Sequence, residues 1–213
     1  MGWRSIRTAF VVGTATLSWA GLEGQEDERR KRAAGRIVPL VGHWEELAEE
    51  GRPVFLLDAR RWRRDVSQPA FPVAVSSEHD DFSEGTLRVR FKLIDGVSDR
   101  SAGLVFDYKP SGEYLFVRYN TREGNAAVWR FANGARTALA KGEQQAQLAL
   151  GVWHDIVVQV SGDTIVGTVN DTLRVEHKVG APIAGRVGFW GKHDAVSAFA
   201  DLRVVPVRNA RQP

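Results

Sequence analysis

The 213-residue chain predicts an all-β fold, two antiparallel sheets packed as a sandwich, with one short helix near the N-terminal end. Three observations carry that expectation. Apolar residues recur at every second position through most of the chain, and turn chemistry interrupts these runs roughly every ten residues. In the cleanest run, residues 86–92, Leu87, Val89 and Phe91 alternate with Arg88, Arg90 and Lys92. A strand turns successive side chains to opposite faces, so such alternation buries one face and wets the other.

Taken in order, the chain begins with the three parts of an export signal in residues 1–20. Arg4 and Arg7 precede a short apolar stretch over 9–17, and Ser18-Trp19-Ala20 offers small residues around a cleavage point. The apolar stretch is well under the roughly 20 residues that span a bilayer. The alternatives are a retained anchor or a buried first helix. Residues 21–51 read as a charged linker, acidic at Glu23, Glu26, Asp27 and Glu28 and basic at Arg29, Arg30, Lys31 and Arg32, followed by a helix over 42–50. Gly51 and Pro53 would stop that helix, and Trp44 and Leu47, three apart, would dock it.

The sandwich itself is expected over 52–207, leaving 208–213 as a tail. Strands are expected at 54–58, 86–92, 103–108, 114–120 and 126–132, the last three joined by Pro110-Ser111-Gly112 and Arg122-Glu123-Gly124-Asn125. Pro69 and Pro72 demote the run after them to an irregular or edge strand. From Trp153 the pattern is densest. Ile156, Val158 and Val160 share a face, Ser161-Gly162-Asp163 turns the chain, and Asn170-Asp171 makes a tight hairpin into Leu173, Val175 and His177. Runs at 186–190 and 198–205 close the fold. If first and last strands lie side by side, Asp201 falls near Arg88 or Arg90.

Charge and cysteine content narrow the chemistry. The 29 Lys and Arg against 26 Asp and Glu give a formal charge of +3. Loss of residues 1–20 would remove Arg4 and Arg7 and leave the chain nearly neutral, so nothing in the charge supports a nucleic-acid partner. With no cysteine, disulfides, thiolate zinc sites and cysteine nucleophiles are excluded. No other stretch is apolar enough to span a membrane, and the mature chain is expected to be periplasmic or secreted.

Candidate binding residues emerge from alternation on the 114–120 strand. Tyr114, Phe116, Arg118 and Asn120 share one face. Guanidinium, amide and aromatic groups together suit a sugar, whose hydroxyls take hydrogen bonds while its C–H face stacks. Arg130, on the next strand, is a further candidate. Trp190 and Lys192 are expected opposite the core, with Trp190 as the stacking residue, whereas Trp153 is expected in the core. The opposite view is an ordinary half-exposed sheet on which arginine stems cover apolar area. The stripe of Arg88, Arg90 and Lys92 is read as a solvated outer face rather than a binding stripe.

In strand order the chain resembles concanavalin A-like jelly rolls, most of all the laminin-G-like branch that includes 3-keto-disaccharide hydrolase-type domains. Asp81-Phe82 before a strand, Trp153-His154 opening one, Gly185-Arg186-Val187-Gly188 and Phe199-Ala200-Asp201 carry the resemblance, which covers residues 53–207. It implies two packed sheets, one concave, often binding glycans. The chain departs from that branch at Arg100-Ser101-Ala102-Gly103, where Asn-Ser-Gly is common. Laminarinase-type jelly rolls carry closely spaced carboxylates on one strand face. Glu78, Asp80 and Glu84 are the nearest approach here, at the wrong spacing, so no catalytic residue is assigned.

Other chemistry is thin. His43, His79, His154, His177 and His193 lack metal-ligand spacing, and no Gly-x-Ser-x-Gly elbow occurs. A structural calcium would need loop oxygens, for which Asp80, Asp81, Asp194 and Asp201 are candidates; otherwise no cofactor is expected. Asn170-Asp171-Thr172 is a glycosylation sequon in a eukaryotic setting, though a turn role is simpler. The sequence therefore supports an exported carbohydrate- or glycan-binding jelly roll without catalysis, with Arg118, Asn120, Arg130, Trp190 and Lys192 lining the site. A 3-keto-disaccharide hydrolase-type enzyme and a protein-binding adhesion module are the alternatives.

Overall fold

The computed structural model describes residues 37–61, 71–97, 100–145 and 147–207. The expected export segment, the linker up to residue 36 and the tail lie outside the described residues. Fourteen strands are described: β1 (Ile37–Val41), β2 (Trp44–Glu49), β3 (Arg52–Asp58), β4 (Val73–Ser76), β5 (Gly85–Asp95), β6 (Ser101–Tyr108) and β7 (Tyr114–Asn120) in the first half. β8 (Asn125–Ala132), β9 (Ala135–Lys141), β10 (Trp153–Ser161), β11 (Thr164–Val169), β12 (Leu173–Lys178), β13 (Arg186–Gly191) and β14 (Val196–Pro206) complete them. They pair antiparallel in two seven-stranded sheets, β1-β4-β13-β6-β7-β8-β9 and β12-β11-β10-β5-β14-β3-β2. We call these the β7 sheet and the β5 sheet.

The core follows from the alternation. Leu87, Val89, Phe91 and Leu93 of β5 face Leu104 and Phe106 of β6 and Leu115, Val117 and Tyr119 of β7, with Ile156, Val158, Phe189 and Phe199 filling the same layer. Two inward faces meeting this way remove apolar area from water on both sides at once, which is the driving term for a sandwich. As expected, the first long strand and the last are neighbours: β14 lies between β3 and β5, and Arg90 Nη1 reaches Asp201 Oδ2 at 3.3 Å.

Three expectations need correction. The helix expected over 42–50 is a strand: Trp44 through Glu49 pair residue for residue with β3. Its indole packs on Phe189 and Phe199 and donates to the Val41 carbonyl at 2.9 Å. Leu47, expected to join Trp44 against the core, points the other way and is 45 % exposed. Ladder bonds and the half-buried indole outweigh the weak helical preference of one short segment. Gly42, at φ +101°, lets the chain cross from one sheet to the other there, and a Cβ would meet Pro72 at 2.8 Å. β4 is not an edge strand either, since β1 covers it. Finally, β9 went unpredicted because its residues are small, charged and half-exposed.

The Asn170-Asp171 hairpin forms as the turn chemistry demands, both residues at positive φ. Asn170 Oδ1 accepts the Asp155 N–H at 2.9 Å, and its Nδ2 donates to His154 Nδ1 at 3.0 Å. His154 therefore carries its proton on Nε2, which donates to the Ala149 carbonyl at 2.9 Å. His154 and Asp155 sit on opposite faces, as strand geometry requires; Asp155 pairs with Arg88 instead.

Candidate functional site

The outer face of the β7 sheet is built from aromatic residues placed by register. Tyr114 sits opposite Phe131, Phe116 opposite Trp129, and Arg118 opposite Ala127 on β8. On the other side Trp190 of β13 lies across β6 from Arg118, with Gly103 between them. A Cβ at Gly103 would come within 3.3 Å of the indole and 3.2 Å of Arg118 Cβ. That bare backbone lets Trp190 lie over β6 and stack on Phe116 at 4.5 Å. Two stacked rows result: Trp190–Phe116–Trp129 and Tyr108–Tyr114–Phe131. Phe71 closes one flank against Trp190 and Phe131. Burial in this layer raises the Tyr114 phenol well above its ordinary pKa.

Cations sit over these rings. The Arg136 guanidinium of β9 is 4.1 Å from the Trp129 ring and 5.1 Å from Phe71, a distance at which the ring quadrupole attracts it. Arg118 is only 1 % exposed. Such a charge survives burial only if its donors are satisfied, and they are: Nη2 to Glu123 at 2.6 Å and Nη1 to Asn125 Oδ1 at 3.1 Å. Glu123 also lies 3.9 Å from Lys141. Trp129 Nε1 is buried without a hydrogen-bond partner. Trp129, Phe131, Tyr108, Phe71 and Arg136 remain half-buried, so the accessible part of the face mixes ring surface with guanidinium.

The residues singled out from sequence fare differently. Arg118, Asn120 and Trp190 do share this face. Trp190, however, is fully buried, because Phe71 and Phe116 cover it, and it cannot stack a ligand. Asn120 Oδ1 accepts the Arg122 and Glu123 N–H groups, shaping the turn that carries Glu123. Arg130 is exposed on the opposite side of its sheet, across from Leu115. Lys192 lies just past β13, half-buried, its carbonyl capping the Ala195 N–H. The residues missed were Trp129, Phe131 and Arg136. The signal was present: a four-residue turn between Asn120 and Asn125 sets even-numbered β7 residues beside odd-numbered β8 residues, which selects Trp129 over Arg130.

The calcium candidates are dispersed in their roles. Asp201 pairs with Arg90, Asp194 accepts the Val97 N–H at 2.7 Å, and Asp80 and Asp81 are exposed. Among the described residues no three of His, Asp and Glu form a metal-holding group.

The outer face of the β5 sheet is the counterpart. Arg88 pairs with Asp155, Arg90 with Asp201 and Lys92 with Glu49, the solvated, charge-matched face expected. Trp153 is corrected from core to this surface, where Arg90 and Lys92 lie 5.0 and 4.6 Å from its ring. The ion pairs hold the Glu49 carboxyl below its ordinary pKa, chiefly through Lys92, and the Arg88 guanidinium above its own, through Asp155.

Strand order and the two facing sheets define a concanavalin A-like jelly-roll sandwich. Among solved structures it is similar to the carbohydrate binding module CBM66 from Bacillus subtilis, at TM-score 0.64 and 16 % identity, over 79 % of this chain and 94 % of that one. It is also similar to a protein of unknown function with a galectin-like fold from Bacillus subtilis, at TM-score 0.53 and 12 % identity, over 79 % and 87 %. A putative glycosyl hydrolase from Parabacteroides distasonis aligns at TM-score 0.54 and 15 % identity, over 81 % and 100 %. No protein-family model and no curated protein matches the sequence. Among the described residues no helix is long and apolar enough to cross a membrane.

Proposed function

We propose that the chain is an exported glycan-binding jelly roll without catalytic activity, and that its ligand lies on the outer face of the β7 sheet. The observation that carries this is the half-exposed group of Trp129, Phe131, Tyr108 and Arg136 on a rigid sheet. Ring faces offer apolar contact to sugar C–H groups, and the half-buried Arg136 guanidinium lies beside them. The Glu123 carboxylate beside this group is ion-paired to Arg118, which supports binding over acid–base chemistry. Residues 1–20 supply the export reading. The fold shared with a carbohydrate binding module is consistent with it and with the hydrolase alternative alike.

Affinity electrophoresis through gels cast with soluble polysaccharides, followed by calorimetry on those that retard the protein, tests the proposal. Retardation by at least one polysaccharide, weakened tenfold or more by Trp129→Ala and by Arg136→Gln, is the expected result. Passage through every gel without delay, or delay that both substitutions leave intact, would sink it.

A further inference from the structure

A second site lies away from the aromatic face. Ser83 and Glu84 ahead of β5, Gly162 and Asp163 between β10 and β11, and residues 180–183 ahead of β13 line an open cleft of about 470 Å³. That volume is within the roughly 300–1,000 Å³ typical of small-ligand sites. Ile183, 3 % exposed, and Pro182 give it an apolar wall. Glu84 is pinned: its Oε1 accepts Ser161 Oγ at 3.3 Å and the Gly162 N–H at 3.1 Å, and its carbonyl accepts the Val207 N–H at 3.0 Å. Asp163 Oδ1 accepts from Thr164 Oγ1 at 3.2 Å, and its carbonyl accepts the Val179 N–H at 2.9 Å. Each carboxylate thus has one oxygen committed to the protein and one left for a ligand.

We propose that this cleft holds one neutral sugar residue. The lining has two carboxylates, of which Glu84 is held by two hydrogen bonds, with a serine hydroxyl, an apolar wall and, among the described residues, no Lys or Arg. Carboxylate oxygens accept from sugar hydroxyls, Ser83 can donate or accept in return, and Pro182 and Ile183 cover the C–H side. An anionic sugar would face two like charges. Because Glu84 is already oriented, little ordering is lost on binding. The inference rests on the glycan-binding reading but uses none of the aromatic-face residues.

Amide NMR titration of the full chain separates the two. The probes are the methyl glycosides of glucose, galactose, mannose and fructose, with glucosamine and glucuronic acid as charged controls. A neutral glycoside should move the amides of Glu84, Gly162, Asp163, Gly180 and Ala181. Glu84→Gln and Asp163→Asn, which keep the existing hydrogen bonds, should each weaken binding at least tenfold. Ala181→Trp, at an exposed position, should block the cleft, and Trp129→Ala should change nothing here. Shifts confined to residues around Trp129 would overturn the cleft and leave the aromatic face standing. Silence from every neutral glycoside in a protein that still binds polysaccharide does the same. A response to glucosamine alone overturns the neutral-sugar assignment.

Discussion

The two outer faces of the sandwich show the same period-two alternation and have opposite constructions. On the β5 sheet the outward residues are Arg88, Arg90 and Lys92, each matched to a carboxylate across a strand or two. On the β7 sheet the outward residues are largely aromatic side chains and valines, and they bury one another: Val73, Val75, Val105, Tyr114, Phe116 and Trp190 form a second apolar layer outside the core. Alternation tells which side a residue takes. It does not tell whether that side meets water. The difference teaches that an outward aromatic row can be a structural layer whose rim alone is available to a ligand.

The largest expected effect tests that layer directly. Phe116→Ala, in the middle of the stacked row, should cost about 3–5 kcal/mol in urea unfolding. Trp153→Ala on the other face should cost only roughly 1–2 kcal/mol, since its ring is half-exposed, packed on the small side chains Val54, Ala198 and Ala200 and flanked by Arg90 and Lys92. Equal losses would erase the contrast. Next comes the buried guanidinium: Glu123→Ala leaves Arg118 with one fewer charged partner and should cost about 1.5–3 kcal/mol, part of which Arg118→Met should restore in the double variant. Additive losses would mean that the pair does not act as one.

Gly103→Ala sharpens the packing argument. Its methyl would press on the Val117 carbonyl at 3.0 Å and on the Trp190 ring, an overpacking cost of about 1–3 kcal/mol, visible as a lower unfolding midpoint and altered tryptophan emission. An unchanged midpoint would show that Trp190 has room to move. On the charged face Arg88→Gln should change stability by less than about 1 kcal/mol, as exposed pairs do; a larger loss would mark that stripe as structural.

The smallest effect is in pH. Arg60 holds the Asp58 carboxyl below its ordinary pKa, so the folded state binds that proton less readily than the unfolded chain. The resulting stability is present above the usual carboxylate value of about 4 and is lost as pH falls below it, through the depressed folded value. Arg60→Gln should flatten the decline of the urea midpoint between pH 5 and pH 3; an identical decline in the variant would remove Asp58 from the account.

Most of the fold was legible because β5, β10 and β11 bury one face each, which writes itself into the sequence as alternation. β9 was not, since its half-exposed edge of Ala, Thr, Arg and Lys carries one large apolar residue, Leu139, and no alternating apolar face. Nor was β2, whose Glu-rich sequence satisfies a helix until one sees Trp44 inside and Glu45 and Glu49 reaching Arg61 and Lys92. At the candidate site, Arg118 and Trp190 could be assigned to a face from the sequence. The burial of Trp190 could not, because Phe71 and Arg136 reach it from distant positions.

The crossing at Gly42 also governs how the molecule would bear a load. β1 belongs to one sheet and β2 to the other, with two residues between them. A pull from the side preceding Ile37 must first peel β1 off β4, then straighten the bend at Gly42, before any force reaches β2. The layers therefore yield in sequence, and a tether at that end strains the β7 sheet while the β5 sheet is still intact.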